Sequence, residues 1–91
     1  MATVVHNPAE SRYEIHVDGQ RAGFTVYRAT PGVIDFVHTE IDDAYEGQGL
    51  GGQLARGALD DIRVNGHKVI ATCPFIKGWI AKHEDYQDLL A

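Results

Sequence analysis

The first half of the chain alternates apolar and polar side chains with the two-residue period of β-strands. Residues 3–6 form a short apolar run that suits an edge strand, and the longer stretches are residues 12–17, 20–28 and 33–41. Asp18-Gly19 favours a type I′ hairpin turn between the first two of these, because both central positions of that turn need positive φ. In residues 20–28 the pattern places Ala22, Phe24 and Val26 on one face. We therefore predict an antiparallel meander of about four strands, with residues 33–41 as the central strand.

After residue 46 the apolar positions follow a helical period instead. One stripe is apolar and the opposite face is polar. The apolar stripe consists of Leu50, Leu54, Ala58 and Ile62, with Ala55 and Leu59 beside it. The polar face consists of Gln53, Arg56, Asp60 and Arg63. The pattern predicts a long helix that begins at Gly47 or Gly49 and ends near Asn65-Gly66, a pair that suits a left-handed C-cap.

The remaining residues predict one more strand and a short helix. Residues 67–72 have a strand pattern, and they would pair parallel to residues 33–41 through a right-handed crossover. Pro74 is well placed at the first position of a second helix, in which we interpret Phe75 and Trp79 as core residues. Residues 84–90 close the chain as a last helical turn. The whole order predicts an α+β fold with a mixed sheet.

A glycine-rich turn, residues 46–52, joins the predicted meander to the long helix. Glycines at 47, 49 and 51 remove Cβ atoms where backbone N–H groups could face a ligand closely. The first N–H groups of a helix lack intrahelical partners, and with the helix dipole they favour a phosphate. The Walker pattern fails because Leu50 and Gly51 occupy its Lys and Ser/Thr positions, and the meander is the wrong context for a dinucleotide fingerprint. The alternative is a flexible connection without a ligand.

Composition and charge narrow the functional classes. Ninety-one residues predict one small domain, and a net charge of −5 argues against nonspecific nucleic-acid binding. No run approaches the ~18 apolar residues of a membrane span, and residues 1–5 lack the basic start of a signal peptide. The single Cys73 excludes an internal disulfide, and the five histidines are too scattered for a zinc pattern. We expect a cytoplasmic protein with no metal, no membrane and no nucleic-acid partner.

The order of the elements, together with the glycine turn, resembles the GNAT acetyltransferase superfamily. That family has the signature Q/R-x-x-G-x-G/A where its fourth strand leads into its long helix. Here the register is Glu46-Gly47-Gln48-Gly49-Leu50-Gly51, so Gly49 and Gly51 match the two small positions. Glu46 departs from the pattern, because the family prefers Gln or Arg there and a carboxylate beside a pyrophosphate is unfavourable.

A group of short GNAT-like proteins is more similar still. Its members have His-Thr-x-Val on the strand, the glycine turn, a Cys-Pro-aromatic segment and a terminal His-Pro-x-Tyr. The corresponding segments are His38-Thr39-Glu40-Ile41, Cys73-Pro74-Phe75 and His83-Glu84-Asp85-Tyr86, with Glu84 in place of the usual Pro. The resemblance covers about residues 13–90 and implies one GNAT-like domain over residues 1–91. Such short members lack the two helices that help to form the acceptor site in full GNAT enzymes.

The resemblance implies acetyl-CoA, or coenzyme A, as the ligand. The pyrophosphate would lie on N–H groups of residues 48–51. The pantetheine arm would follow the exposed edge of residues 39–41, where GNAT strands four and five separate. The implied cofactor-binding residues are Thr39, Ile41, Gly47, Gln48, Gly49, Leu50, Gly51, Gly52, Pro74 and Phe75.

Three side chains are candidates for the chemistry. Cys73 is predicted at the N-cap of the last helix, where the helix dipole favours a thiolate, so it could accept the acetyl group; the alternative is a small buried residue. His38 could act as a general base, with Glu40 on the same strand face as its orienting carboxylate; the alternatives are a structural histidine and a surface pair. Tyr86 is similar to the tyrosine acid of some larger GNAT enzymes.

We therefore expect an N-acetyltransferase of the short GNAT type with an unidentified amine acceptor. The amine would attack the thioester directly, or Cys73 would take the acetyl group first. The alternative function is an acyl-CoA-binding or sensing module with little turnover, and a purely structural partner-binding domain comes last.

Overall fold

The structure is a computed structural model that describes all 91 residues, with five strands and two α-helices. In chain order these are β1 Ala2–Asn7, β2 Arg12–Val17, β3 Gln20–Thr30, β4 Val33–Ile41, α1 Leu50–Val64, β5 Lys68–Ala71 and α2 Pro74–Ala81. Short 3-10 turns occupy Pro8–Glu10, Asp43–Tyr45 and Glu84–Leu89. The predicted α+β fold, with a long helix and a short C-terminal helix, is confirmed.

The five strands form one sheet in the order β1-β2-β3-β4-β5. Neighbouring strands are antiparallel except β4 and β5, which are parallel as predicted. The prediction that residues 33–41 are the central strand is wrong, because only β5 lies beyond β4 and β3 is therefore in the middle. None of the helices is long and apolar enough to cross a membrane.

Backbone conformations explain two of the predicted turns. Asp18 and Gly19 both have positive φ, 50° and 84°, which is the requirement of a type I′ hairpin. At the end of α1, Gly66 has φ 74° directly after the C-cap residue Asn65. The long helix therefore ends where the Asn-Gly pair predicts.

Both helices pack on the same face of the sheet, and the core lies between them and the strands. The predicted apolar stripe of α1 is buried, and it faces buried strand residues that include Ile15, Tyr27, Phe36 and Val69. At Gly57 an added Cβ would lie 2.6 Å from Val4 of β1, so the helix needs glycine at this crossing. The opposite face of the sheet carries no helix.

Two bulges change which side chains of the sheet face the helices. Ile15 pairs with Gly23 and His16 with Arg21, so Ala22 is an extra residue in β3. The predicted face is therefore wrong beyond Ala22, because Thr25 and Tyr27 are buried on the helix face while Phe24 and Val26 face away. Arg12 and Arg21 cover Phe24 on that outer face, with their guanidinium carbons 5.3 and 5.4 Å from the ring centre.

The second bulge lies in β4 and decides the layout of the candidate site. Tyr27 pairs with Phe36 but Val26 pairs with His38, so Val37 is the extra residue. Because the two-residue alternation is interrupted there, Phe36 and Thr39 both face the helices. His38 and Glu40 face the open side of the sheet.

Candidate functional site

The glycine turn uses two of its glycines for backbone conformation. Gly47 and Gly49 have φ of 78° and 72°, a region that side chains rarely adopt, and an added Cβ at either position would meet no atom within 4 Å. Gly49 is the N-cap of α1, so the helix begins at Leu50 rather than at one of the two predicted glycines. Conformation, and not crowding, is what requires glycine at these two positions.

The first turn of α1 has free hydrogen-bond donors. No side chain caps the helix and no acidic residue lies in its first turn. The first helical bond is donated by Gln53 N–H to the Gly49 carbonyl, 3.3 Å away. The N–H groups of Leu50, Gly51 and Gly52 therefore lack intrahelical acceptors and lie at the positive end of the helix dipole. This arrangement suits an anionic group.

Gly51 has a different role from the two preceding glycines, because it makes room for a side chain of α2, whereas a Cβ at Gly52 would be in ordinary contact. An added Cβ at Gly51 would lie 2.8 Å from the ring of Phe75, and one at Gly52 would lie 3.5 Å from Trp79 Nε1. The two aromatic rings of α2 thus pack directly on the backbone at the start of α1.

Next to this contact is an open groove of about 260 Å³, lined by Pro74, Phe75, Gly78, Trp79 and Lys82. Phe75 is 43% exposed, so the expectation that it belongs to the core is wrong. Lys82 was not among the predicted site residues. Its spacing of seven from Phe75 and four from Gly78 places these residues on one helix face, and this signal was available in the sequence.

The edge of β4 beyond Phe36 has no neighbouring strand. Pairing with β5 ends at Phe36 and Ala71, and the last bond in this direction is donated by Cys73 N–H to the Phe36 carbonyl at 2.8 Å. Asp42 N–H donates to the Ala22 carbonyl on the β3 side, also at 2.8 Å. By strand alternation, the backbone groups of Thr39 and Ile41 point away from β3. They lie on the open edge, as the resemblance implied.

Cys73 lies where the sequence predicts, at the N-cap of α2, but its side chain does not cap the helix. Cys73 as a residue is 3% exposed, and its sulfur lies 3.3 Å from Thr39 Oγ1. Thr39 Oγ1 in turn lies 2.9 Å from Oγ1 of the fully buried Thr25. The Cys73 sulfur thus faces β4 and not the free N–H groups of α2.

His38 and Glu40 form the predicted pair on the outer face of β4. His38 Nε2 lies 3.1 Å from a carboxylate oxygen of Glu40, and both side chains are more than half exposed. The structure does not bring this pair together with Cys73, because the Val37 bulge puts them on opposite faces of the strand. Thr39 lies between them in the chain, with its side chain on the Cys73 side.

Tyr86 is buried and both of its hydroxyl partners come from α1. It donates to Asp60 Oδ1 at 2.6 Å and accepts from Arg56 Nη1 at 3.1 Å. Burial, followed by the hydrogen bond to Asp60, raises the pKa of Tyr86 above its ordinary value. This phenol is neutral at physiological pH and its proton is committed to Asp60, so it is not placed as a free acid.

Three carboxylates lie between the open edge and the free N–H groups. Asp42, Asp43 and Glu46 are exposed and take part in no ion pair. Along the chain, the basic residue nearest to the glycine turn is Arg56 of α1, whose guanidinium lies against Trp79 and Tyr86. The electrostatic field around the glycine turn is therefore mixed, with donors from the backbone and negative charge just before them.

Comparison with known proteins adds family evidence to this geometry. The family model described as GCN5-related N-acetyl-transferase matches residues 12–89. The chain is 28% identical to Protein NATD1 of Mus musculus and of Homo sapiens over 82 residues, which is 88% of this chain and 74% and 73% of those proteins.

Solved structures agree with the fold. The solution structure of a GCN5-like protein from Staphylococcus aureus superposes with a TM-score of 0.74 at 27% identity, covering 98% of this chain and 87% of that one. Ard1 from Thermoplasma volcanium gives a TM-score of 0.63 at 18% identity, covering 82% of this chain and 55% of its own, and this likeness concerns the fold alone.

Proposed function

Since this chain belongs to the GCN5-related N-acetyltransferase family, we propose that it binds acetyl-CoA and transfers the acetyl group to an amine. The observation that carries the proposal is one juxtaposition. The start of α2 contacts both the uncapped start of α1, through Phe75 at Gly51, and the open backbone edge of β4, through Cys73 at Thr39. A long ligand with an anionic part and an amide-bearing arm fits such a pair of surfaces.

In this proposal the free donors of α1 bind the pyrophosphate, and the open edge of β4 pairs with the amide groups of the arm. Gly47, Gln48 and Gly49 shape the turn, and Pro74 and Phe75 form the neighbouring wall. A backbone N–H on the open edge would polarise the thioester carbonyl, which stabilises the charge that develops on its oxygen.

The chemistry we propose is direct attack with His38 as the general base. The amine nitrogen forms a bond to the carbonyl carbon, the carbon–sulfur bond breaks, and coenzyme A leaves as a thiolate. His38 takes the proton of the nitrogen, and Glu40, 3.1 Å away, orients its imidazole. The exposure of the pair on the open sheet face would let an amine approach from that side.

Transfer through Cys73 is less well supported. The residue is buried, and the neighbour of its thiol is the hydroxyl of Thr39, which is no base. We therefore assign Cys73 a packing and hydrogen-bonding role beside the arm of the ligand. Iodoacetamide should alkylate it far more slowly in the folded protein than in urea.

An acyl-CoA-binding or sensing module with little turnover is the second candidate. Two observations favour it, the unpaired carboxylates of Asp42, Asp43 and Glu46 before the turn and the absence of a helix over His38 on the open face, where Phe24 is its aromatic neighbour at 6.4 Å between ring centres. Both weaken the case for a tightly formed acceptor site.

One set of measurements separates the two candidates. Calorimetry with coenzyme A tests binding, and mass spectrometry after incubation with acetyl-CoA and a panel of primary amines tests transfer. We expect binding, acetylated amines and a large loss of turnover in His38→Gln with the affinity unchanged. Binding without transfer to any amine would support the sensing module, and absence of binding would contradict both. Acetylation of Cys73 itself would overturn direct attack.

A further inference from the structure

The indole of Trp79 is held by a cluster of residues that the proposed chemistry does not use. The His83 ring is stacked on it with centres 3.8 Å apart and planes 13° apart. Tyr86 meets it edge to face at 5.0 Å, and the Arg56 guanidinium carbon lies 5.5 Å from its ring centre. Trp79 is a wall of the groove, and its Nε1 faces the start of α1 at Gly52.

This cluster is anchored to α1 by hydrogen bonds. Asp60 accepts from the Tyr86 hydroxyl, and Arg56, one turn earlier in the same helix, donates to it. The Arg56 guanidinium also lies 5.4 Å from the Tyr86 ring centre. The same helix whose first turn has the free N–H groups therefore fixes Tyr86, and Tyr86 packs against Trp79.

The end of α2 is held by the same C-terminal segment. His83 Nδ1 lies 2.6 Å from the Trp79 carbonyl, so this nitrogen donates to it. Gln87 donates to the carbonyls of Ile80 and Ala81, at 3.2 Å in each case. Carbonyls that the end of α2 leaves without intrahelical partners are thus satisfied, and the C-terminal end of the helix is fixed.

We propose that Arg56 and Tyr86 are positioning residues that hold the Trp79 indole against the first turn of α1, next to the Pro74 and Phe75 wall of the proposed ligand site, and thereby set the affinity for coenzyme A. The inference rests on the proposed function. Its physical basis is preorganisation, because a side chain that is already fixed loses no rotamer freedom when the ligand binds. Without the anchor, Trp79 would have to be ordered during binding.

The test uses Tyr86→Phe, which keeps the ring and removes both hydroxyl hydrogen bonds. We expect its dissociation constant for coenzyme A to rise roughly three- to tenfold, the cost of ordering one large side chain. Trp79 is the only tryptophan in the chain, so its fluorescence reports the same change directly. The emission maximum of the free protein should shift to longer wavelength and the spectrum should broaden.

Asp88→Asn is the matched control. Asp88 anchors the same C-terminal segment through a bidentate pair with Arg63 at 2.8 and 2.9 Å. The Arg63 guanidinium carbon lies 5.7 Å from the Tyr86 ring centre, but neither side chain of this pair hydrogen-bonds to Trp79 or to the Tyr86 hydroxyl. The variant should lower the melting temperature while leaving the affinity and the emission spectrum unchanged. Arg56→Gln, at an exposed position, repeats the test should Tyr86→Phe fail to fold.

The outcomes are distinguishable. If Tyr86→Phe and Arg56→Gln bind coenzyme A like the wild type and have its emission spectrum, the positioning role is wrong. Equal effects of Asp88→Asn on affinity would likewise overturn it, since general stability would then explain them. If the wild type binds no coenzyme A, the proposed function fails, and the emission spectra still decide whether Tyr86 positions Trp79.

Discussion

Thr39 contributes both to the helix-facing side of β4, through its hydroxyl, and to the free edge of that strand, through its backbone. Its hydroxyl lies between Thr25 and Cys73 on the helix side, and its backbone points to the open edge. Its neighbours His38 and Glu40 point to the opposite face. The sequence predicts correctly that His38 and Glu40 share a face. It does not predict which face, because that depends on the extra residue Val37, and a bulge is fixed by pairing with another strand.

Thr39→Val tests how much the buried hydroxyl chain contributes. Valine has nearly the same shape but leaves the fully buried Thr25 hydroxyl without this partner. We expect the free energy of unfolding to fall by about 1–3 kcal/mol, the cost of a buried polar group left unsatisfied. Urea denaturation measures it, and Thr3→Val at an exposed position of β1 is the control with little change. If Thr39→Val and Thr3→Val change the free energy of unfolding equally, the change comes from β-propensity and not from the buried hydroxyl chain.

Glu14 is the second polar residue with an unusual environment. It accepts hydrogen bonds from Asn7, Arg12 and His16, and these lower the pKa of Glu14 from 4.5 to about 2. A lowered pKa in the folded state means that the stabilisation is complete above pH 4.5 and is lost as the pH falls toward 2.

The prediction compares the wild type with Glu14→Gln across this pH range. The wild type should be more stable at pH 6, and the difference in unfolding free energy should shrink steadily between pH 4.5 and about 2. Glu10→Gln, at an exposed position of the first 3-10 turn, should show no such trend. A difference that stays constant with pH would show that Glu14 stabilises through packing alone.

At the scale of elements, the glycines divide into two kinds that the sequence alone does not separate. Gly47 and Gly49 are required by positive φ, whereas Gly51 is required by the ring of Phe75 in α2. The bounds of α1, its buried stripe and the Pro74 start of α2 all follow from local patterns. The packing of α2 on the first turn of α1 does not, because it joins segments more than twenty residues apart in the chain.

Alanine substitutions separate these effects within helices. At Gly78 a Cβ would meet open space, so Gly78→Ala should stabilise the protein by about 0.5–1 kcal/mol through helix propensity. Gly51→Ala should gain nothing or destabilise, because its Cβ would lie 2.8 Å from Phe75. In a Phe75→Ala background the gain of about 1 kcal/mol should reappear, and denaturant unfolding of the four proteins in this cycle measures the coupling. An equal gain from Gly51→Ala in both backgrounds would contradict the contact.

For the whole molecule, the sequence predicts the fold because strand, turn and helix signals agree along the chain and recur in family order. It does not predict the acceptor, since the open sheet face is shaped by long-range pairing and lacks a second layer. The net charge of −5 poses a separate question. An acidic protein that binds a polyanion must do so by local donors, and the field of the remaining carboxylates must be screened or distant.

Substitution of Glu46 tests whether local donors and nearby charges, and not the net charge of the protein, govern binding of the polyanion. Glu46 is exposed, makes no ion pair and lies four residues before the first free donor of α1, the Leu50 N–H. Glu46→Gln should strengthen coenzyme A binding by about 0.5–1 kcal/mol at low salt, and the gain should shrink at physiological ionic strength because exposed charges are screened. Glu10→Gln changes the net charge equally. Glu10 lies in the β1–β2 connection, and this connection is at the end of β2 opposite to the β2–β3 hairpin, which joins Val17 to Gln20. Calorimetry should find the affinity of Glu10→Gln unchanged. Equal gains from the two variants would mean that the overall charge, and not the position of Glu46, opposes the ligand. No gain from either would place Glu46 away from the bound phosphates.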